Sequence, residues 1–165
     1  MKKFLIHVLQ RTTHNCFGVK CCFGVIEIGT FREIFHMPVN VWSLAVYEQQ
    51  WIEGIKRLQN HDSSCLVTEI QTRTKKPQAT LWAFYKEEKK LYIQKLVLFG
   101  ELIKEPLKNK FFTTTTCYDF IVPRGLDMQH NLKASEWQID LEDVLRFLDE
   151  KRQLNDQNKT KKYRN

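Results

Sequence analysis

Two apolar runs, Gln78–Tyr85 and Leu91–Phe99, flank the charged stretch Lys86–Lys90. Both runs are rich in aromatic and aliphatic residues, the types that fit a pleated surface, and the charged break reads as a solvated reversal. The pattern predicts an antiparallel hairpin at the centre of a sheet. A tight turn places Phe84 opposite Ile93 and Tyr85 opposite Tyr92. Phe84 and Ile93 then share one face, and Tyr85, Tyr92 and Gln94 share the other. The turn lacks the Asn-Gly or Asp-Gly pair of a typical two-residue reversal.

A different period governs Ser43–Asn60. Leu44, Tyr47, Trp51, Ile55 and Leu58 recur at steps of three or four, the stripe of an amphipathic helix. Asn40 or Ser43 can cap it, and Gly54 weakens it. A second helix starts after Asp140, which stands at the cap with Asp143 at the third helical position. Ile139 and Val144 have the spacing of a hydrophobic staple. Its stripe is Leu141, Val144, Leu145 and Leu148, and it is expected to fray near Gln153. Phe4–Leu9 reads as a strand and Arg11–Asn15 as a polar loop. Cys16–Ile28 is extended with interruptions at Gly18 and Gly24, and Met37-Pro38 excludes helix at that point. Ser64–Gln71 is a strand and Thr72–Pro77 a basic loop. Glu101–Lys110 is loop with a helical turn. Phe111–Val122, with its threonine run, reads as a strand closed by the turn Pro123-Arg124-Gly125, and Ala134–Ile139 is short and extended. The order predicts an α+β layer: a mostly antiparallel sheet with two helices packed on one side.

The chain has 165 residues, 42% of them hydrophobic and 12% aromatic, enough for one cored domain without disulfide staples. The net charge of +7 is unevenly placed: the last fifteen residues hold six basic side chains against one acidic. Residues 1–152 are therefore expected to form the domain and 153–165 a basic, disordered tail. No stretch is long and apolar enough to cross a bilayer. The opening Met-Lys-Lys-Phe-Leu-Ile imitates a secretory signal, but His7 breaks the apolar run and no small-residue cleavage site follows. A first strand, and a cytoplasmic protein, is the expectation. The five cysteines are odd in number and irregular in spacing, as for free thiols in a reducing compartment.

The chemistry-bearing residues form no enzyme signature. His14-Asn-Cys16 with Cys21-Cys22 is the nearest approach to a metal set, but it lacks the paired Cys-x-x-Cys knuckles of structural zinc. Adjacent cysteines in a strand also point to opposite faces. His7, His14, His36, His61 and His130 are histidines without a recognisable nucleophile partner. No Walker loop, dinucleotide fingerprint or nucleophile elbow is present. Neither a cofactor nor a catalytic residue is expected. Basic residues alternate with Trp82, Tyr85 and Tyr92 around the hairpin, the raw material of a single-stranded nucleic-acid platform. No ribonucleoprotein signature accompanies them.

From His36 to Arg152 the chain resembles the immunity proteins of contact-dependent growth inhibition systems (CdiI), most closely those paired with colicin-like ribonuclease toxins. The resemblance is carried by His36-Met-Pro-Val-Asn-Val-Trp42 with Tyr47 and Trp51, by Leu81–Lys89 with Leu91-Tyr-Ile-Gln94, and by Ser135-Glu-Trp137 with Asp140-Leu141 and Val144-Leu145. It implies a strongly bent, Whirly-like antiparallel sheet. It also implies a non-enzymatic role: binding and neutralising the C-terminal nuclease domain of a cognate CdiA toxin in a one-to-one heterodimer, with neither membrane nor nucleic acid as partner. The alternative is a single-stranded nucleic-acid-binding module of Whirly-like fold. Immunity proteins for basic nucleases are often acidic, and this chain is not. Local acidic patches formed by Glu87, Glu88, Glu136, Asp140, Glu142, Asp143, Asp149 and Glu150 are one way to meet a positive toxin. Within the immunity reading, the expected contact residues are Tyr85, Tyr92 and Gln94 as anchors on the hairpin face turned away from the helices, with Glu87 and Glu88 at the rim.

Overall fold

The hairpin has the register its pattern predicts. In a computed structural model, which describes residues 3–16, 18–71, 78–99, 112–127, 132–133 and 135–162, strand β5 (Gln78–Glu87) pairs with β6 (Lys90–Phe99). Phe84 stands opposite Ile93 and Tyr85 opposite Tyr92. Without Asn-Gly, the two-residue reversal is made by Glu88 in the left-handed region (φ 53°) and Lys89. β4 (Ser63–Gln71) joins one side of this hairpin and β9 (Glu136–Asp140) the other, giving a four-stranded antiparallel sheet B in the order β4-β5-β6-β9. A three-stranded antiparallel sheet A precedes it: β1 (Phe4–Cys16), β2 (Val19–Ile28) and β3 (Phe31–Pro38). A short ribbon, β7 (Leu126–Asp127) with β8 (Leu132–Lys133), is the remaining pairing among the described residues. The helices are α1 (Leu44–Arg57) and α2 (Leu141–Lys162), and Cys117–Phe120 is a single 3-10 turn. The α+β expectation holds, with the strands divided between two sheets.

The core lies between the sheets. Residues directly opposite in an antiparallel ladder share a face, so Trp82, Phe84, Ile93 and Trp137 point together toward sheet A. There Phe4 meets Phe84 edge-on at 5.8 Å between ring centroids, and Phe31 lies 4.3 Å from Trp137 and 6.0 Å from Trp82. Phe147 of α2 closes on Phe4 at 6.0 Å. The opposite face of sheet B is covered too, by residues 112–125. Tyr85 donates its hydroxyl to the Val122 carbonyl at 2.7 Å, and the buried Cys65 and Cys117 thiols meet. Strand β5 is accordingly buried without a break from Ala79 to Tyr85.

Helix α1 begins where its cap signal stands: Ser43 accepts from the Val46 N–H through its side-chain oxygen. It does more than cover a face, because it closes the free edge of β4. The Gln50 amide accepts from the Val67 N–H and donates to the Cys65 carbonyl, each at 2.9 Å, the pair of bonds a neighbouring strand would make. Trp51 adds a bond from its indole N–H to the Val67 carbonyl at 2.7 Å. The approach is close enough to require Gly54: a Cβ there would lie 2.6 Å from the Cys65 oxygen. An otherwise exposed edge is thereby withdrawn from pairing with other chains.

Three expectations change. Arg11–Asn15 is strand, because β1 runs on to Cys16 along the outside of sheet A, where one flank faces solvent and polar residues are tolerated. Irregular pairing between Val8 and His14 absorbs the misfit. Phe111–Val122 is not a strand: the described residues from Phe112 onward form bends and the 3-10 turn. The threonines cause this, since Thr113 N–H donates to the Thr116 hydroxyl at 2.9 Å and Thr116 N–H to the Thr113 hydroxyl at 3.2 Å, local bonds that compete with a ladder. Finally, α2 continues past Gln153 to Lys162. The loop expected at Glu101–Lys110 lies outside the described residues.

Candidate functional site

At the turn end of sheet B, β6 and β9 carry Gln94 and Glu136 opposite one another. Gln94 donates its amide N–H to Glu136 at 2.8 Å and accepts from the Gly125 N–H at 3.3 Å. Gly125 occupies the left-handed region (φ 88°), which suits glycine and turns the chain so that the preceding residue reaches back over the sheet. That residue is Arg124. Its guanidinium forks onto the Glu136 carboxylate with bonds of 2.8 and 2.9 Å and forms an ion pair with Glu87. Its Cζ lies over the Tyr92 ring, 3.4 Å from the ring centre. The planar fork matches a carboxylate bidentately while its face stacks on an aromatic, a combination lysine cannot reproduce.

The electrostatics follow from these contacts. The Glu136 hydrogen bonds, with those of Glu87 beside them, hold Arg124 still more firmly charged than a free arginine. Beneath it, burial pushes the Tyr85 hydroxyl up to about 12, so it remains a neutral donor to Val122. The site is a fixed charged and aromatic surface with a turn at its tip, and it does not assemble a nucleophile with a base.

The five expected contact residues converge here but occupy different depths. Glu87 and Glu88 lie exposed at the turn. Tyr92 is half-buried beneath Arg124, while Tyr85 and Gln94 are buried under residues 112–125. Trp82 is fully buried and Tyr85 nearly so, which removes the stacking platform that single-stranded nucleic acid requires. Of the acidic residues, Asp140 pairs with Lys90 and Asp143 with Arg146. Sequence reasoning missed Arg124 and the specific role of Glu136. The dipeptide Arg124-Gly125 is visible as a turn, but only the β6–β9 register shows that its charge meets Glu136. A second concavity, an open groove between α1 and Tyr118, is lined by Gln49, Glu53, Arg57 and Thr115. Arg57 lies over the Tyr118 ring and Glu53 is paired with Lys56, so its walls are held by internal contacts.

A family model described as the CdiI N-terminal domain matches residues 37–147. The immunity protein CdiI of Enterobacter cloacae subsp. cloacae is 29% identical over 123 residues, 74% of this chain and 81% of that protein. Among solved structures, a chain of the CdiA-CT/CdiI toxin and immunity complex from Enterobacter cloacae is similar with a TM-score of 0.72 at 25% identity, covering 89% of this chain and 97% of that one.

Proposed function

The chain belongs to the CdiI N-terminal-domain family and is a non-enzymatic immunity protein, and from that premise we propose that it neutralises a nuclease domain at the C-terminus of a cognate CdiA protein, in the cytoplasm, as a one-to-one complex. The observation that carries the reading is the family match over residues 37–147, which spans all of α1 and sheet B and the first turns of α2. A protein of this kind acts by complementarity: a few anchors in a desolvated centre, with charges setting register and rejecting other partners.

The turn end of sheet B is the proposed contact surface. Arg124, Tyr92 and Glu87 are locked to one another before any partner arrives, so little side-chain freedom remains to be lost on binding. Glu88 and Lys89 project beyond them at the tip. Glu87, Glu88 and Tyr92 are the contact residues in this reading. Tyr85 and Gln94 are supports that hold Arg124 and the 122–125 turn in position.

The test is to co-express the untagged chain with the C-terminal domain of a candidate cognate CdiA, separate the pair and titrate it by calorimetry. A stoichiometric complex that abolishes nuclease activity is the expected outcome, and no complex would sink the proposal that this nuclease domain is its partner. Tyr92→Ala and Glu88→Lys should each weaken the complex, with Tyr92→Ala costing about 2 kcal/mol or more if it is a hot spot. Tyr85→Phe, which removes only the hydroxyl bond to Val122, should weaken the complex by less than Tyr92→Ala. The reverse pattern would move the contact elsewhere while leaving the family role intact.

A further inference from the structure

The face of sheet A turned away from sheet B gathers donors that the immunity role does not use. His14 and Cys16 lie two apart on β1, Cys21 stands opposite His14, and Phe23 stands opposite His36 on β3. Ladder parity therefore puts His14, Cys16, Cys21 and His36 on one face. They are drawn together there. The Cys16 Sγ lies 3.2 Å from His36 Nδ1, and one donor atom each from His14, Cys16 and His36 fall within 4.8 Å of one another. Phe23 orients both imidazoles: its ring stacks on His14 at 4.1 Å, nearly parallel, and lies 4.9 Å from His36. Both ring nitrogens of His14 are buried and lack a hydrogen-bond partner among the described residues. An imidazole left so is costly, and such a group calls for an explanation.

We propose that His14, Cys16 and His36 form a binding site for a zinc-class divalent cation, with Cys21 placed to supply a fourth ligand. Two imidazoles and one or two thiolates are the donors a borderline-soft, tetrahedral ion selects over calcium or magnesium. All three principal ligands are only partly buried, so the ion has an entry path. The Cys21 thiol lies beside that of Cys16 but outside the three donors that fall within 4.8 Å of one another, which makes it the weaker fourth ligand. On binding, the ion displaces the Cys16 proton to solvent and forms a sulfur–metal bond, so uptake releases protons and strengthens with pH. The ion ties β1 to β3 across β2, stapling the open end of sheet A. Sequence inspection finds His14, Cys16 and Cys21 together but not the whole set: it has no Cys-x-x-Cys knuckle, and its third ligand is twenty residues from Cys16 and arrives through the β2–β3 register.

The experiment is a cobalt(II) titration of the reduced, chelator-stripped, untagged full chain, read by absorption. Saturation at one equivalent, with a thiolate-to-cobalt charge-transfer band that zinc bleaches, is the expected result. Cys16→Ser should abolish that band. His14→Ala and His36→Ala should lower affinity by more than the roughly 10–100-fold that even an outer-shell change costs. Cys21→Ser should keep stoichiometric binding with a weaker band, and His61→Ala should change nothing. A wild-type chain showing no charge-transfer band, or binding that survives Cys16→Ser, would overturn the site. The cluster would then be held by its ring stacking and its thiol–imidazole hydrogen bond alone. Because the titration uses no toxin, its outcome is independent of the immunity reading.

Discussion

Strands β2 and β5 are both central in their sheets, yet their surroundings differ. β5 is covered on both faces, by sheet A on one side and by residues 112–125 on the other, and it is buried from Ala79 to Tyr85 with Thr80 the one non-aromatic polar residue among them. β2 sends Cys22, Ile26 and Ile28 into the core; on its other face Cys21 and Val25 are buried too, but Phe23 and Glu27 stay partly exposed, with Glu27 paired to Lys3 at 3.2 Å and Arg32 at 3.4 Å. Partial exposure confined to one face of a strand is thus a record of how many faces are covered. The difference also separates two kinds of chemistry. The doubly covered sheet supplies rigidity and offers only its turn end to a partner, whereas the half-covered sheet has room for a cluster of donors on its outer face.

The largest effect should come from emptying the doubly covered interior. Phe84→Ala should destabilise by about 3–5 kcal/mol, measured by urea unfolding. Ile34→Ala, on the open face of sheet A where Ile34 is 48% exposed, should stay within about 0.5 kcal/mol. Comparable losses at both positions would erase the contrast between the sheets. Next in size is the edge of β4. Gln50→Leu preserves bulk but strands the Val67 N–H and Cys65 carbonyl, and should cost about 1–3 kcal/mol by the same measurement. A neutral result would mean that α1 merely lies beside the edge without completing it.

A smaller change, in the stabilising direction, is expected at the β5–β6 turn. Glu88 holds a left-handed conformation that asparagine tolerates better, so Glu88→Asn should raise stability by up to about 1 kcal/mol. A lower melting temperature would show that the Glu88 side chain contributes more than its backbone strain costs. The smallest effect belongs to sheet A and depends on pH. Burial first, and then the Lys151 charge, lowers the pKa of His7 below its ordinary 6.5; Lys3 and Arg32 act the same way and Glu27 opposes them. The unfolded chain therefore binds the extra proton more readily. Stability from this group is complete above about 6.5 and is lost as the pH falls through the lowered folded value. His7→Gln should flatten part of that acid slope in melts recorded from pH 7.5 to 5, and an unchanged slope would assign it to other groups.

What could be read along the chain was local. The α1 stripe from Tyr47 to Leu58, the Ser43 cap and the pairing of Tyr85 with Tyr92 depend on spacings of three, four or two residues, and those spacings act through neighbours in sequence. The threonines at 113–116 misled the same reasoning. Their β-branched preference for strand is real, but their hydroxyls satisfy the local backbone first.

The amino-acid order by itself determined the α+β class, the register of the central hairpin, the start of each helix and, through family likeness, the kind of partner to look for. Tertiary structure alone decided that Arg124 clamps Glu136 and Tyr92, that Gln50 serves as a substitute strand, that Tyr85 and Gln94 lie under a lid rather than at the surface, and that His36 joins His14 and Cys16. The physical reason is common to all four. Each depends on which strand lies beside which and on what covers the resulting face, and that is set by burial of the whole core rather than by any window of neighbouring residues.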